Sequence, residues 1–484
     1  MTILRQYFWI LLGPALFTLL LLIPPAGGLS PEAWKVLAMA ALMLTWWISE
    51  AVPIAVTSLL PMVLLPSLGV SSLDDAAAPY ANPVVFLFMG GFIIALALEK
   101  WELHKRIALH IINLTGTRAD GIIGGFMLAT AAISMWISNT ATAIMMLPIG
   151  LSIIALMQQQ VPPSPENQKG LARFSICMML AIAYGANIGG TATIIGTPPN
   201  VVFAGYMRET FNMEVTFFTW MVVGIPFALV LLLLSYLLLV KVLLPNRLGH
   251  FGGAREIIRS ELAQLGPMTP GERLTLLVFV FTALSWIFRL QLDDLFPGIR
   301  ISDTFIALAA AVILFVLPVD LKKKEFVLTW KDTEKLPWGI LLLFGGGLSL
   351  ADSLATTGLI DMIGNQFKGL DIAGWLFILA LSAVSLFLTE VMSNVALVTI
   401  FLPVVGAMAI GAGIPPLQIC IPVTLAASCA FMFPMSTPPN AIVFASGRIS
   451  IGQMARAGFL LNLLTIGVIV LLVKCLFPLL FSAS

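Results

Sequence analysis

The chain has 484 residues, 59% of them hydrophobic and 10% charged, and 25 Lys and Arg almost balance 24 Asp and Glu. Soluble domains are about 45–50% apolar and about 25% charged, so this composition belongs in lipid and excludes a water-soluble enzyme or a single-pass anchor. A net charge of +1 offers no basic field for nucleic acid.

A bilayer core takes about 20 apolar residues per helix. In chain order, spans are expected at roughly 8–24, 33–49, 51–70, 84–98, 174–205, 215–243, 274–291, 304–320, 337–357, 417–446 and 457–480. The first, Tyr7 to Leu22 after Arg5, resembles a secretory signal, but apolar runs continue to the far end, so it reads as an uncleaved helix. Two further stretches, 121–156 and 373–408, are too long for one helix and polar at their centres. If each enters and returns on one side, eleven crossings put the termini on opposite faces. With the N-terminus cytoplasmic, nineteen Lys and Arg fall inside, five fall outside, and Lys474 is ambiguous, as the positive-inside rule asks. Cys177, Cys420, Cys429 and Cys475 lie in apolar runs and read as packing residues. His104, His110 and His250 form no metal-ligand spacing.

The chain repeats itself. Phe88-Met89-Gly90-Gly91 returns as Leu343-Phe344-Gly345-Gly346, and Ser138-Asn139-Thr140-Ala141 returns as Ser393-Asn394-Val395-Ala396. Thr197-Pro198-Pro199-Asn200 returns unchanged at Thr437-Pro438-Pro439-Asn440. Gly90 to Ser138 and Gly345 to Ser393 are both 48 residues, and a hydroxyl precedes each serine by four, at Ser134 and Thr389. The charge layout runs the two Gly-Gly helices in opposite directions. The halves are therefore expected to be inverted, the architecture by which many secondary transporters expose one site to either side.

Asn, Ser and Thr at membrane depth need partners, and irregular backbone is tolerated there only inside protein or along a cavity. Two consecutive prolines deny a helix its amide donors and break it. A broken helix presents amides on one half, which suit an anion, and carbonyls on the other, which suit a cation. A single Ser-Asn-Thr would read as an interhelical hydrogen bond and a single Thr-Pro-Pro-Asn as a kink or turn; their duplication points to a site. Residues 121–156 and 174–205 contain no charged side chain, and 373–447 contain only Glu390. With no arginine, such a site favours hard monovalent cations on hydroxyls, amides and carbonyls, and the cations in turn lend charge to an anion. Glu390 has two readings: cation ligand or proton carrier, and structural brace accepting backbone hydrogen bonds.

These motifs, with Trp101-Glu102-Leu103-His104-Lys105-Arg106 after the fourth span, resemble the divalent anion/sodium symporters, carriers of dicarboxylates, citrate or sulfate, over nearly the whole chain. The resemblance implies an all-α polytopic protein, eleven transmembrane helices plus two re-entrant hairpins, working as a homodimeric elevator. Residues 1–98 and 271–357 would form the scaffold, and 99–250 and 358–484 the transport domain. One sodium site would use Ser134, Ser138, Asn139 and Gly196, and the other Thr389, Asn394 and backbone near Met392 and Ser436. Substrate carboxylates would meet Asn139, Thr140, Asn394, Thr437 and Pro438. Val395 stands where some relatives carry threonine, which leaves cargo size open. The expected function is sodium-coupled symport of a four-carbon dicarboxylate such as succinate, in a bacterial inner membrane with the C-terminus outside. The competing readings are citrate or sulfate as cargo, and a sodium-independent exchanger. A channel or an intramembrane enzyme lacks the pore lining or the catalytic base it would need.

Overall fold

The computed structural model describes residues 3–477 except 26–27, 117, 163, 247, 250–251 and 369–373. Arg247, His250, the first residue of the 373–408 stretch and the end of the chain past Phe477 lie outside the described residues. Among the described residues the architecture is helical apart from one antiparallel ribbon, Pro318–Asp320 paired with Glu325–Phe326. Eight described helices are long and apolar enough to cross a membrane, and the protein is an integral membrane protein.

Six of the expected spans fall on those eight helices, and the remaining two are the second arms of the central stretches, Asn139–Gln160 and Asn394–Gly411. Other expected spans lie on shorter helices. Residues 51–70 divide into Ile54–Thr57 and Leu60–Ser67, with Pro53 capping the first piece and Pro61 opening the second. Pro31–Ser49 is long enough, but Glu32, Lys35 and three tryptophans reduce its hydropathy.

Both central stretches form helical hairpins. The first is Ala119–Ser134 followed by Asn139–Gln160, and the second is Gly374–Leu388 followed by Asn394–Gly411. The first arm of the first hairpin, 16 residues, reaches about 24 Å at ~1.5 Å per residue, less than a bilayer core of about 30 Å, and the described part of the second hairpin's first arm has 15 residues. Both Thr-Pro-Pro-Asn segments follow a break. Pro165–Gly190 stops and resumes as Pro198–Phe211, and Pro416–Ala427 stops and resumes as Pro438–Ala445. In each case the threonine is the extended N-cap and the prolines sit where a helix has no amide to satisfy.

The first hairpin arm lies along Pro165–Gly190. Their backbones approach so closely that a Cβ on Gly189 would collide with Ala131, the small-residue packing that helices use in lipid. The span Pro83–Lys100 packs on Asp303–Val316 and turns sharply at Glu102, whose φ of 52° lies in the left-handed region, into the amphipathic helix Leu103–Leu114. After the second Gly-Gly helix, Trp338–Thr356, the chain turns at Gly358 with φ 78°. The repeat thus extends to backbone conformation.

Charges pair at the helix ends. Arg106 grips Glu272 with two nitrogens, at 2.8 and 3.2 Å, and also donates to the Gly266 carbonyl. This makes the Trp101–Arg106 segment a fastening between the amphipathic helix and Pro270–Ile287. Lys105 pairs with Glu261 at 3.0 Å, and Lys100 pairs with Asp332 at 2.8 Å. Burial pushes the Asp332 carboxyl up, but Lys100 and the Thr329 amide outweigh it and hold it below the usual carboxylate range. Burial pushes the His104 imidazole below its ordinary value, and its Nδ1 meets the Leu98 carbonyl at 2.9 Å. Cys177, Cys420 and Cys429 are buried as packing residues, whereas Cys475 is exposed.

Candidate functional site

Each hairpin tip is organised by the hydroxyl four residues before its serine. Ser134 Oγ lies 2.6 Å from Asn139 Oδ1 and 2.8 Å from the Ala186 carbonyl. Thr389 Oγ1 lies 2.7 Å from Asn394 Oδ1 and 2.7 Å from the Ala427 carbonyl. The same three-cornered arrangement (hydroxyl, tip asparagine, carbonyl at the end of the broken helix) therefore occurs twice. Both hydroxyls are fully buried, and protein oxygens receive the one hydrogen each can donate. Ser138 caps the following helix by accepting from the Ala141 amide at 3.2 Å, while Ser393 makes no such cap.

The breaks meet these tips. The Asn139 side chain lies against Gly190, and a Cβ on Gly190 would come within 2.5 Å of Asn139 Oδ1. A Cβ on Gly196 would come within 2.5 Å of the Gly190 carbonyl, so this loop closes only because both positions are glycine. Asn200 ties it from behind, its Nδ2 donating to the carbonyls of Gly190 and Thr193 at 3.2 and 2.8 Å. In the second half Asn440 does the same work, donating to the carbonyls of Ala430 and Phe433 and to Ser436 Oγ, each at 3.1 Å.

All four elements line one cavity of about 930 Å3. Ser138, Asn139, Thr140, Gly196, Met392, Asn394, Val395, Ser436, Thr437 and Pro438 are on its wall. Ser134 and Thr389 are not; they stand behind their asparagines. Phe88 and Phe92 close one side, and the lining continues to helix ends at Glu50, Glu99 and Lys335. At the hairpin tips and breaks the wall carries no charged side chain. Hydroxyl, amide and carbonyl oxygens can there replace the water shell of a small hard cation, and amide N–H groups can meet an anion.

Glu390 lies outside that wall. Its Oε1 accepts from the Phe431 amide at 2.8 Å, the Met432 amide at 3.1 Å and Asn462 Nδ2 at 2.8 Å, and its Oε2 accepts from Met432 at 3.0 Å. Protein donors thus engage both oxygens, the structural brace of the two readings.

The motifs alone did not single out Asn187, Asn462 or the aromatic wall. Asn187 is a solitary amide within the apolar run of Pro165–Gly190, a residue that has no reason to be there unless something across the helix interface receives it. That isolation was the available signal.

Comparison with known proteins gives the family. The family described as sodium:sulfate symporter transmembrane region matches residues 5–483. A protein of Staphylococcus saprophyticus named sodium-dependent dicarboxylate transporter SdcS is 40% identical over 476 residues, 98% of this chain and 92% of its own length. A Staphylococcus aureus protein of the same name is 41% identical, covering 98% of this chain and 91% of its own. Two solved transporters share the fold. Neisseria gonorrhoeae MtrF, described among antimetabolite efflux pumps, superposes with a TM-score of 0.57 at 14% identity over 96% of this chain and 95% of its own. The Alcanivorax borkumensis YdaH transporter gives 0.57 at 13% identity over 99% and 98%. With a match from end to end and relatives alike over almost their full length, the chain belongs to the sodium:sulfate symporter transmembrane region family, whose members are transporters rather than enzymes.

Proposed function

We propose that the protein is a sodium-coupled carrier of a di- or tricarboxylate, a four-carbon dicarboxylate such as succinate being the favoured cargo. The observation that carries this reading is the meeting of both serine-asparagine tips and both Thr-Pro-Pro-Asn breaks around one cavity, with no charged side chain at the tips or breaks. The named sodium dependence and dicarboxylate cargo of relatives at 40% identity support it.

On this reading the sodium sites are built from Ser134, Ser138, Asn139 and Gly196 in the first half, and from Thr389, Met392, Asn394 and Ser436 in the second. Ser134 and Thr389, off the cavity wall, act by fixing the side chains of Asn139 and Asn394 through their Oδ1 atoms. Asn139, Thr140, Asn394, Thr437 and Pro438 receive the carboxylates, with Val395 beside them. Two monovalent cations offset a dianion where no arginine could, so cargo and cations bind together or not at all. That mutual requirement is symport.

Movement follows from the inverted halves: eleven crossings with two re-entrant hairpins, a scaffold of 1–98 and 271–357, and a transport domain of 99–250 and 358–484 that slides as an elevator within a homodimer. Under the charge layout, the Glu50, Glu99 and Lys335 end of the cavity is cytoplasmic, so this conformation opens inward in a bacterial inner membrane. The test is radiolabelled succinate uptake into proteoliposomes, competed with citrate and sulfate. Uptake driven by a sodium gradient and absent in potassium supports symport, and equal exchange in potassium contradicts it.

A further inference from the structure

Asn187 belongs to the first broken helix, yet its side chain works in the second half. Its Nδ2 lies 3.1 Å from the Ala430 carbonyl, 3.1 Å from Thr437 Oγ1 and 3.3 Å from Asn440 Oδ1. The residue is 1% exposed and stands at the cavity wall with Thr437. Reversing the amide would set its oxygen against the Ala430 and Asn440 oxygens, so the orientation is fixed by its neighbours. Thr437 Oγ1 accepts from Asn187 and, at 3.4 Å, from the Asn440 amide. A hydroxyl has two acceptor positions and one hydrogen. With both positions occupied, the Thr437 hydrogen is left to point away from Asn187 and Asn440, toward the cavity that Thr437 lines.

We infer that Asn187 is a positioning residue that fixes the Thr437 hydroxyl as a donor toward a carboxylate oxygen of the cargo, making this end of the site selective for an anionic group. The inference rests on the carrier reading and deepens it. The first half has no equivalent. Its own Thr197 receives no side-chain cap bond, and Ser428, which follows Ala427 as Asn187 follows Ala186, turns its hydroxyl back to the Thr424 carbonyl. One end of the cavity therefore holds a hydroxyl of set polarity, and the other holds one free to donate or accept. Ala186 and Asn187 also serve the two halves from consecutive positions, the first through its carbonyl to Ser134 and the second through its amide to Thr437.

The test uses the full-length protein in proteoliposomes with sodium and succinate, comparing wild type, Asn187→Ala, Thr437→Val and the double variant. Loss of one hydrogen bond to a charged group raises KM about tenfold. Asn187→Ala and Thr437→Val are each expected to show that rise, and the double variant no more than either, since both remove the same donor. The maximal rate of Asn187→Ala at saturating succinate is expected to be retained. A purely structural role would reduce the amount of active protein or the maximal rate and leave KM in place. Asn187→Asp keeps the shape but offers an oxygen that draws the Thr437 hydrogen away from the cargo, so the same KM rise is expected; it decides the matter if the alanine form does not fold. An unchanged KM, or KM effects that multiply in the double variant, would overturn the inference while leaving the carrier reading intact. Absence of succinate uptake by the wild-type chain would instead overturn the carrier reading.

Discussion

Met135 and Glu390 hold the same place in the repeat, three residues before the tip serine, and each meets the loop of the neighbouring broken helix. In the first half the contact is modest: Thr193 Oγ1 donates to the Met135 carbonyl at 2.5 Å. In the second, a carboxylate receives the Phe431 and Met432 amides and the Asn462 side chain. The difference lies in two neighbouring amides of the second loop. In the first break Thr191 Oγ1 donates to the Ile188 carbonyl and Asn200 collects two more carbonyls, as Asn440 does in the second. In the second, the adjacent Phe431 and Met432 amides both donate to Glu390, and an unmet buried amide costs about 1–3 kcal/mol. A charge within the apolar interior is tolerated at Glu390 because three donors converge on it. In this chain the two tips are alike while their supports differ.

The tips should be the most sensitive positions. Asn139→Ala or Asn394→Ala is expected to abolish uptake with membrane insertion intact; normal uptake in both would break the equivalence of the two halves. Gly196 and Ser436 sharpen the contrast, because each immediately precedes the Thr-Pro-Pro-Asn of its half. Gly196→Ala drives a Cβ against the Gly190 carbonyl and should raise the sodium concentration for half-maximal uptake more than tenfold, roughly the effect of 1.4 kcal/mol or more. Ser436→Ala, where a Cβ is already accommodated, should shift it only a few-fold. Equal effects would show that crowding at Gly190 is immaterial.

The supports come next. Glu390→Ala leaves the Phe431 and Met432 amides unmet and should lower unfolding stability in detergent by about 3 kcal/mol. Glu390→Gln keeps one acceptor oxygen and should lose about half as much. The smallest effect belongs to Thr193→Val, about 1 kcal/mol for its one hydrogen bond. If Thr193→Val cost as much as Glu390→Ala in the same melts, the two junctions would be equivalent after all.

Much of this was legible from spacing. The 48-residue interval, the paired serine-asparagine tips and the double prolines located both hairpin turns and both breaks. Local chemistry determines those features, since proline lacks an amide and serine and threonine favour the N-cap position of a helix. Features set by distant partners were not legible. Glu390 could be read two ways until Phe431, Met432 and Asn462 surrounded it. Asn187 looked like any amide in an apolar helix, because its partners lie more than 240 residues away. Hydropathy joined residues 51–70 into one span, whereas Pro53 and Pro61 divide them. The ribbon at Pro318–Asp320 is too short to leave a pattern.

The central claim is that bound cations supply the charge by which an arginine-free cavity holds a dianion. Binding of radiolabelled succinate to the purified protein, measured with sodium and again with potassium at equal ionic strength, tests it most directly. The account predicts saturable binding in sodium alone, lost alike in Asn139→Ala and Asn394→Ala. Equal affinity in potassium would contradict it.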